Sequence, residues 1–72
     1  KRKGIFIRLA GKNCPQMNKI VTLSEIFDGA FPLYAYYIDE NKYELISNVS
    51  LNEPLLNELR YLIGDENLVL RS

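Results

Sequence analysis

Histidine and tryptophan are absent from these 72 residues, and there is one cysteine, Cys14. Without histidine the commonest general base and zinc ligand is missing. A single cysteine cannot close an internal disulfide, and a metal site needs several ligands. Cysteine usage this sparse fits a reducing, cytoplasmic compartment. Long apolar runs are also lacking: no stretch approaches the ~20 residues needed to span a bilayer, so no membrane association is expected. The basic start Lys1-Arg2-Lys3 is followed by only a short apolar stretch, Gly4–Ala10, broken by Arg8, which is not the pattern of a signal peptide. The four glycines are scattered, so no glycine-rich phosphate loop can form.

What is present is ordinary globular material. Hydrophobic residues make up 47% and charged residues 25%, too apolar for disorder. The length suits a single domain over residues 1–72, one that buries ~60% of its unfolded surface and has modest stability. The first residue is lysine, which points to a fragment excised from a longer chain. The formal net charge is zero but uneven. Residues 1–36 carry six basic groups (Lys1, Arg2, Lys3, Arg8, Lys12, Lys19) and two acidic ones (Glu25, Asp28), whereas residues 37–72 carry three basic and seven acidic groups. Either the two halves attract each other in the fold, or the first half forms a basic patch for an acidic partner or nucleic acid.

Periodicity divides the chain into six elements. Gly4–Ala10 alternates, with Ile5, Ile7 and Leu9 against Phe6 and Arg8, the pattern of a half-buried strand. Pro15–Phe27 reads as a helix with Pro15 in its first turn and Cys14 as N-cap. Its apolar stripe is Met17, Ile20, Val21, Leu23 and Phe27. Ser24 interrupts the stripe, Ile26 lies off it, and the capping-box spacing of Thr22 and Glu25 allows a break near Val21. Gly29 is placed to stop this helix. Pro32–Ile38 and Tyr43–Ile46 form a hairpin across the turn Asp39–Lys42, and Ser47–Asn52 is a polar bend. A second helix runs from Glu53 or Pro54 to Ile63, capped by Asn52 or its neighbour, with Leu55, Leu56, Leu59, Leu62 and Ile63 as its stripe. Gly64 follows as a left-handed residue, and Asn67–Arg71 alternates as a last strand.

The order β-α-β-β-α-β, with right-handed crossovers, places both helices on one face of a mixed four-stranded sheet. This is the α+β, two-layer, ferredoxin-like sandwich with a split βαβ arrangement. Its expected core is the two stripes with Ile5, Ile7, Leu9, Leu33, Ala35, Leu45, Leu68 and Leu70.

Reactive chemistry is thin. A helix N-terminus could activate Cys14, but a small cap residue explains it as well. Asp65 and Glu66 adjoin in a turn without further ligands. Neither makes an enzyme, and no catalytic, cofactor or metal residue is assigned. The distinctive feature is aromatic: Tyr34, Tyr36, Tyr37 and Tyr43 on the hairpin and Phe6 on the first strand. With Leu33 and Ala35 inward, Tyr34 and Tyr36 face outward beside Phe6, Arg8 and Arg71. These five residues form the candidate interaction surface. Aromatics with arginine on an open sheet can stack the bases of a single strand. They can equally anchor a protein, and tyrosines also favour half-buried strands for packing alone. A small-ligand regulatory domain is a third reading of the same layout.

Taken together, "IFIRL", "LSEIFDG", "PLYAYY" and "VSLNEPLLNELRYLIGDENLVLR" resemble, in order and spacing, the extreme C-terminal domain of the bacterial DNA polymerase III alpha subunit. Phe31 stands where that family tends to have threonine, Ser24 interrupts a stripe that is more leucine-rich there, and Leu45–Asn48 gives no clear match. The resemblance implies that residues 1–72 are the C-terminal part of a much larger polymerase chain. That parent would use Mg2+ held by upstream carboxylates, and this segment would need no cofactor of its own. It further implies a non-catalytic role in DNA replication in the cytoplasm, with the clamp-loader tau subunit and the rest of the alpha chain as partners and at most weak contact with DNA.

Overall fold

The computed structural model describes residues 2–72, so Lys1, counted above in the basic start, lies outside the described residues. The elements run β1 (Gly4–Leu9), α1 (Met17–Ile26), β2 (Asp28–Tyr37), β3 (Lys42–Val49), α2 (Glu53–Ile63), a single 3-10 turn (Asp65–Asn67) and β4 (Leu68–Arg71). The four strands form one mixed sheet in the order β3-β2-β1-β4, covered on one face by both helices. The expected α+β sandwich, with the ferredoxin-like element order and layering, is therefore what the chain adopts. Its Cα radius of gyration, 10.9 Å, is about that of any packed chain of this length.

The connection pattern has one particular feature. β1 and β2 are direct parallel neighbours, so no strand splits the first βαβ unit. The long step is instead β3-α2-β4, which crosses both central strands and sets β4 antiparallel to β1 at the far edge.

Alternation decides which side chains meet the helices. Ile5, Ile7 and Leu9 of β1 and Leu33, Ala35 and Tyr37 of β2 point to the helix layer, where Ile20, Leu23, Leu55, Leu56, Leu59 and Val49 close one continuous core. α2 is the better amphipathic helix, as its cleaner stripe predicts, and Asn52 caps it: its Oδ1 accepts from the Leu55 N–H at 2.9 Å. Gly64 ends it at φ +90, positive as expected but with an extended ψ rather than the left-handed helical one.

The first helix differs from expectation. It begins at Met17, and Gln16 holds the cap position without a side-chain bond. Pro15 and Gln16 belong to a turn in which the Cys14 carbonyl accepts from the Met17 N–H at 3.2 Å, so Cys14 is not the N-cap. The helix is unbroken at Val21–Thr22. There the Thr22 hydroxyl bonds back to the Asn18 carbonyl and Ser24 to the Val21 carbonyl, which satisfies the polar groups without ending the helix. Val21, expected in the stripe, is exposed.

Gly29 does not stop α1, because Phe27 already does and Gly29 lies inside β2. A Cβ on Gly29 would sit 2.5 Å from the Ser50 nitrogen, so the glycine is there for close backbone approach. Ser50 fastens the same junction, its N–H donating to the Phe27 carbonyl at 2.6 Å. β2 thus starts four residues before Pro32. The proline is tolerated because pairing with β1 begins only at Leu33, leaving a neighbour on one side alone.

β3 is also longer than expected and takes in the first half of the supposed bend at Ser47–Asn52. It contains a bulge: Leu33 pairs with Ser47 but Tyr34 with Leu45, so Ile46 is an extra residue. The bulge reverses which residues face the core. Leu45, expected inside, is 50% exposed on the outer face. Leu70 points inward opposite Ile5 but remains 41% exposed, because β4 is a short edge strand that the helices do not fully cover.

Candidate functional site

Among the described residues no helix lies on the outer face of the sheet. All five surface residues predicted from the sequence lie on it. Phe6 and Arg8 of β1 sit beside Tyr34 and Tyr36 of β2 in parallel register, and Arg71 of β4 lies opposite Gly4. Three further side chains join them through register alone. Tyr34 pairs with Leu45, Tyr36 with Tyr43, and Phe6 with Val69. The row Leu45–Tyr34–Phe6–Val69 therefore crosses all four strands.

The rings contact one another. Phe6 stacks on Tyr34 with centroids 5.0 Å apart and planes 13° apart. Tyr43 meets Phe6 edge-on at 6.0 Å and Tyr36 at 4.8 Å. Gly4 makes room for the arrangement, since a Cβ there would stand 3.0 Å from the Tyr34 ring. Two guanidinium groups lie over these rings at cation-π distance: Arg71 is 5.4 Å from the Phe6 centroid and Arg2 is 5.6 Å from that of Tyr34. Arg2 also donates to the Tyr34 hydroxyl at 3.3 Å. Phe6 and Tyr34 thus each have a ring and a guanidinium as π partners within the chain.

At the other end of the face, Arg8 donates from Nε to Asn67 Oδ1 at 2.9 Å. Asn67 in turn donates from Nδ2 to the Ile63 carbonyl at 2.8 Å, so one amide both covers the end of α2 and aims Arg8. The Tyr36 hydroxyl donates to Asn41 Oδ1 in the β2–β3 turn, where Asn41 adopts a positive φ. A groove of about 610 Å³ opens on the Arg2 and Arg71 side of the face, lined by Arg2, Phe6, Tyr34, Leu45, Val69 and Arg71 among others.

Sequence reasoning missed Arg2, Tyr43, Leu45, Val69 and Asn67 as members of this surface. Tyr43 and Leu45 depend on the bulge, which has no glycine to mark it. Val69 was legible as the outward residue of the last strand by alternation. Asn67 takes its role from the 3-10 turn after α2, which only the tertiary fold brings beside Arg8.

Tyr37, grouped with the hairpin tyrosines, is not on this face. It is sealed in the core and its hydroxyl donates to Glu44 at 2.9 Å. Burial first, and then that bond, push its phenol up to about 12. Glu44, held below its usual range chiefly by the same bond, also pairs with Lys12 at 3.4 Å.

Other candidates for chemistry stay apart. Asp65 pairs with Arg60 at 3.1 Å, and among the described residues no three histidine, cysteine, aspartate or glutamate side chains gather as a metal site. Among the described residues no helix is long and apolar enough to cross a membrane. No family model matches the chain, and neither the curated proteins nor the solved structures contain a match to it.

Proposed function

We propose that this chain is a non-catalytic protein-interaction module that docks through the outer face of its sheet. The observation that carries the reading is an aromatic cluster with Arg2 and Arg71 over its rings and Arg8 beside it, on a face that no helix among the described residues covers. Aromatic rings and arginine are the side chains most enriched where protein interfaces concentrate their energy. The resemblance noted above gives this docking a setting. The module belongs to the C-terminal end of a bacterial replicative DNA polymerase alpha subunit in the cytoplasm and helps tether it to the clamp-loader tau subunit. Polymerisation is then the work of other parts of the parent chain.

Retention of the 72-residue chain by immobilised tau from the same organism tests this. Binding that Phe6→Ala with Tyr34→Ala abolishes supports it, and retention of full-length alpha but not of this chain overturns it.

The second reading, binding of single-stranded nucleic acid, is favoured by the same arginines and by the tyrosines. It requires affinity that falls steeply with salt and drops in Tyr34→Ala and Tyr36→Ala. The π partners already given to Phe6 and Tyr34 make the protein reading the better supported of the two.

A further inference from the structure

The arginines of the outer face are aimed but not neutralised. The ion pairs among the described residues are Lys12–Glu44, Arg60–Glu53 and Arg60–Asp65, and none involves Arg2, Arg8 or Arg71. Tyr34, Asn67 and Phe6 fix the directions of these three guanidinium groups without compensating their charge. A guanidinium fork held this way is matched by a planar carboxylate. The charges also flank the apolar row. Arg71 and Arg2 stand at the Gly4 end and Arg8 beyond Phe6, while the row itself spans roughly 14 Å across four strands.

Building on the docking reading, we infer that this face takes a linear acidic peptide segment. Carboxylates of the segment pair with Arg2 and Arg71 on one flank and with Arg8 on the other. One or two apolar side chains between them seat on Leu45, Phe6 and Val69.

Two other occupants fit less well. A second copy would oppose the same three arginines to each other, and the Glu44 carboxylate that lines the groove is already engaged by Tyr37 and Lys12. A nucleic acid would find aliphatic Leu45 and Val69 at both ends of the row, where they give a base no plane to stack on.

Fluorescence anisotropy with the 72-residue chain tests the inference. The probes are a labelled peptide of two leucines between runs of aspartate, its asparagine twin, a lysine twin and an oligothymidylate. Amide NMR shifts locate the contact. The expected result is binding of the aspartate peptide, at least about tenfold weaker binding of the asparagine twin, and shifts confined to β1, β4 and the outward residues of β2 and β3. The double variant Arg2→Glu with Arg71→Glu, shown by its spectrum to be folded, loses the aspartate peptide and gains the lysine twin.

Equal binding of the aspartate and asparagine peptides, no binding of either, or tighter binding of the oligothymidylate at the same amides overturns the inference. Retention by tau that the double variant leaves unchanged sinks this assignment but not the tether. Peptide binding without any retention by tau sinks the tether but not the face chemistry.

Discussion

The Tyr37 hydroxyl reaches out of the core to a carboxylate oxygen of Glu44 at 2.9 Å, and Lys12 pairs with the same carboxylate at 3.4 Å. The contact ties β2 to β3 and to the loop after β1. It is also the only ion pair among the described residues that joins the basic first half to the acidic second half. Among the described residues the charge asymmetry of the sequence thus yields one close ion pair between the halves, and arginines of both halves gather on the outer face.

Tyr37→Phe should destabilise the chain by about 1 kcal/mol at neutral pH, read by urea denaturation. The pH dependence is more diagnostic. The folded phenol, pushed up to about 12, lies above its unfolded value, so its contribution is complete below pH ~10 and is lost as pH rises toward 12. At pH 11 the parent should have lost on the order of 1 kcal/mol more than Tyr37→Phe. Glu44 behaves in the opposite sense. Its carboxyl is lowered, so its contribution is present above the ordinary carboxylate range and is lost as pH falls through the lowered value, more so in the parent than in the phenylalanine variant. Parallel stability curves for the two proteins at both extremes would contradict the bond.

The bulge at Ile46 separates two aliphatic residues that the sequence treats alike. Leu45→Ala removes a half-exposed side chain and should change stability by less than about 0.5 kcal/mol. Leu59→Ala empties a fully buried site under β1 and should cost about 2–5 kcal/mol, enough to unfold much of a domain this small. Thermal unfolding followed by circular dichroism distinguishes them. Comparable losses at both positions would mean that β3 pairs without the bulge.

What the sequence could and could not show follows from the range of the forces involved. β1 and α2 are set by local alternation and a local cap, so their inward faces and, to within a residue, their limits were readable, with the cap placed at Asn52 or its neighbour. The end of α1 and the start of β2 were not, because Gly29 is selected by the backbone at Ser50, twenty-one positions away. Leu45 was misplaced for a related reason: a one-residue slip in pairing flips every later side chain, and no residue type announces it. The outward direction of Phe6, Arg8, Tyr34, Tyr36 and Arg71 was readable because they sit where strand alternation holds without interruption. Arg2 and Asn67 were missed because they reach the face from outside the strands.

Gly29→Ala carries the long-range argument about α1 and β2. The new methyl group would lie 2.5 Å from the Ser50 nitrogen and 2.6 Å from the Val49 carbonyl carbon, both backbone atoms that cannot rotate away. Relief requires β3 to withdraw, breaking the Ser50 bonds to Phe27 and Asp28. The expected loss is about 1–3 kcal/mol, with faster amide exchange at Ser50. A neutral substitution would mean that the helix-stop role read from the sequence is the correct one.

The two helix starts provide the final comparison. Asn52 lies at extended angles and its side chain meets the Leu55 N–H, so Asn52→Ala should cost about 1 kcal/mol. Cys14 precedes α1 by a full turn, and its carbonyl, not its side chain, meets Met17. Cys14→Ser therefore places a good capping side chain where no helix begins, and it should leave the melting temperature within a degree or two of the parent. If serine at position 14 instead raised stability as an N-cap does, by about 1 kcal/mol, the helix would start at Pro15 in solution and the turn ahead of Met17 would be wrong.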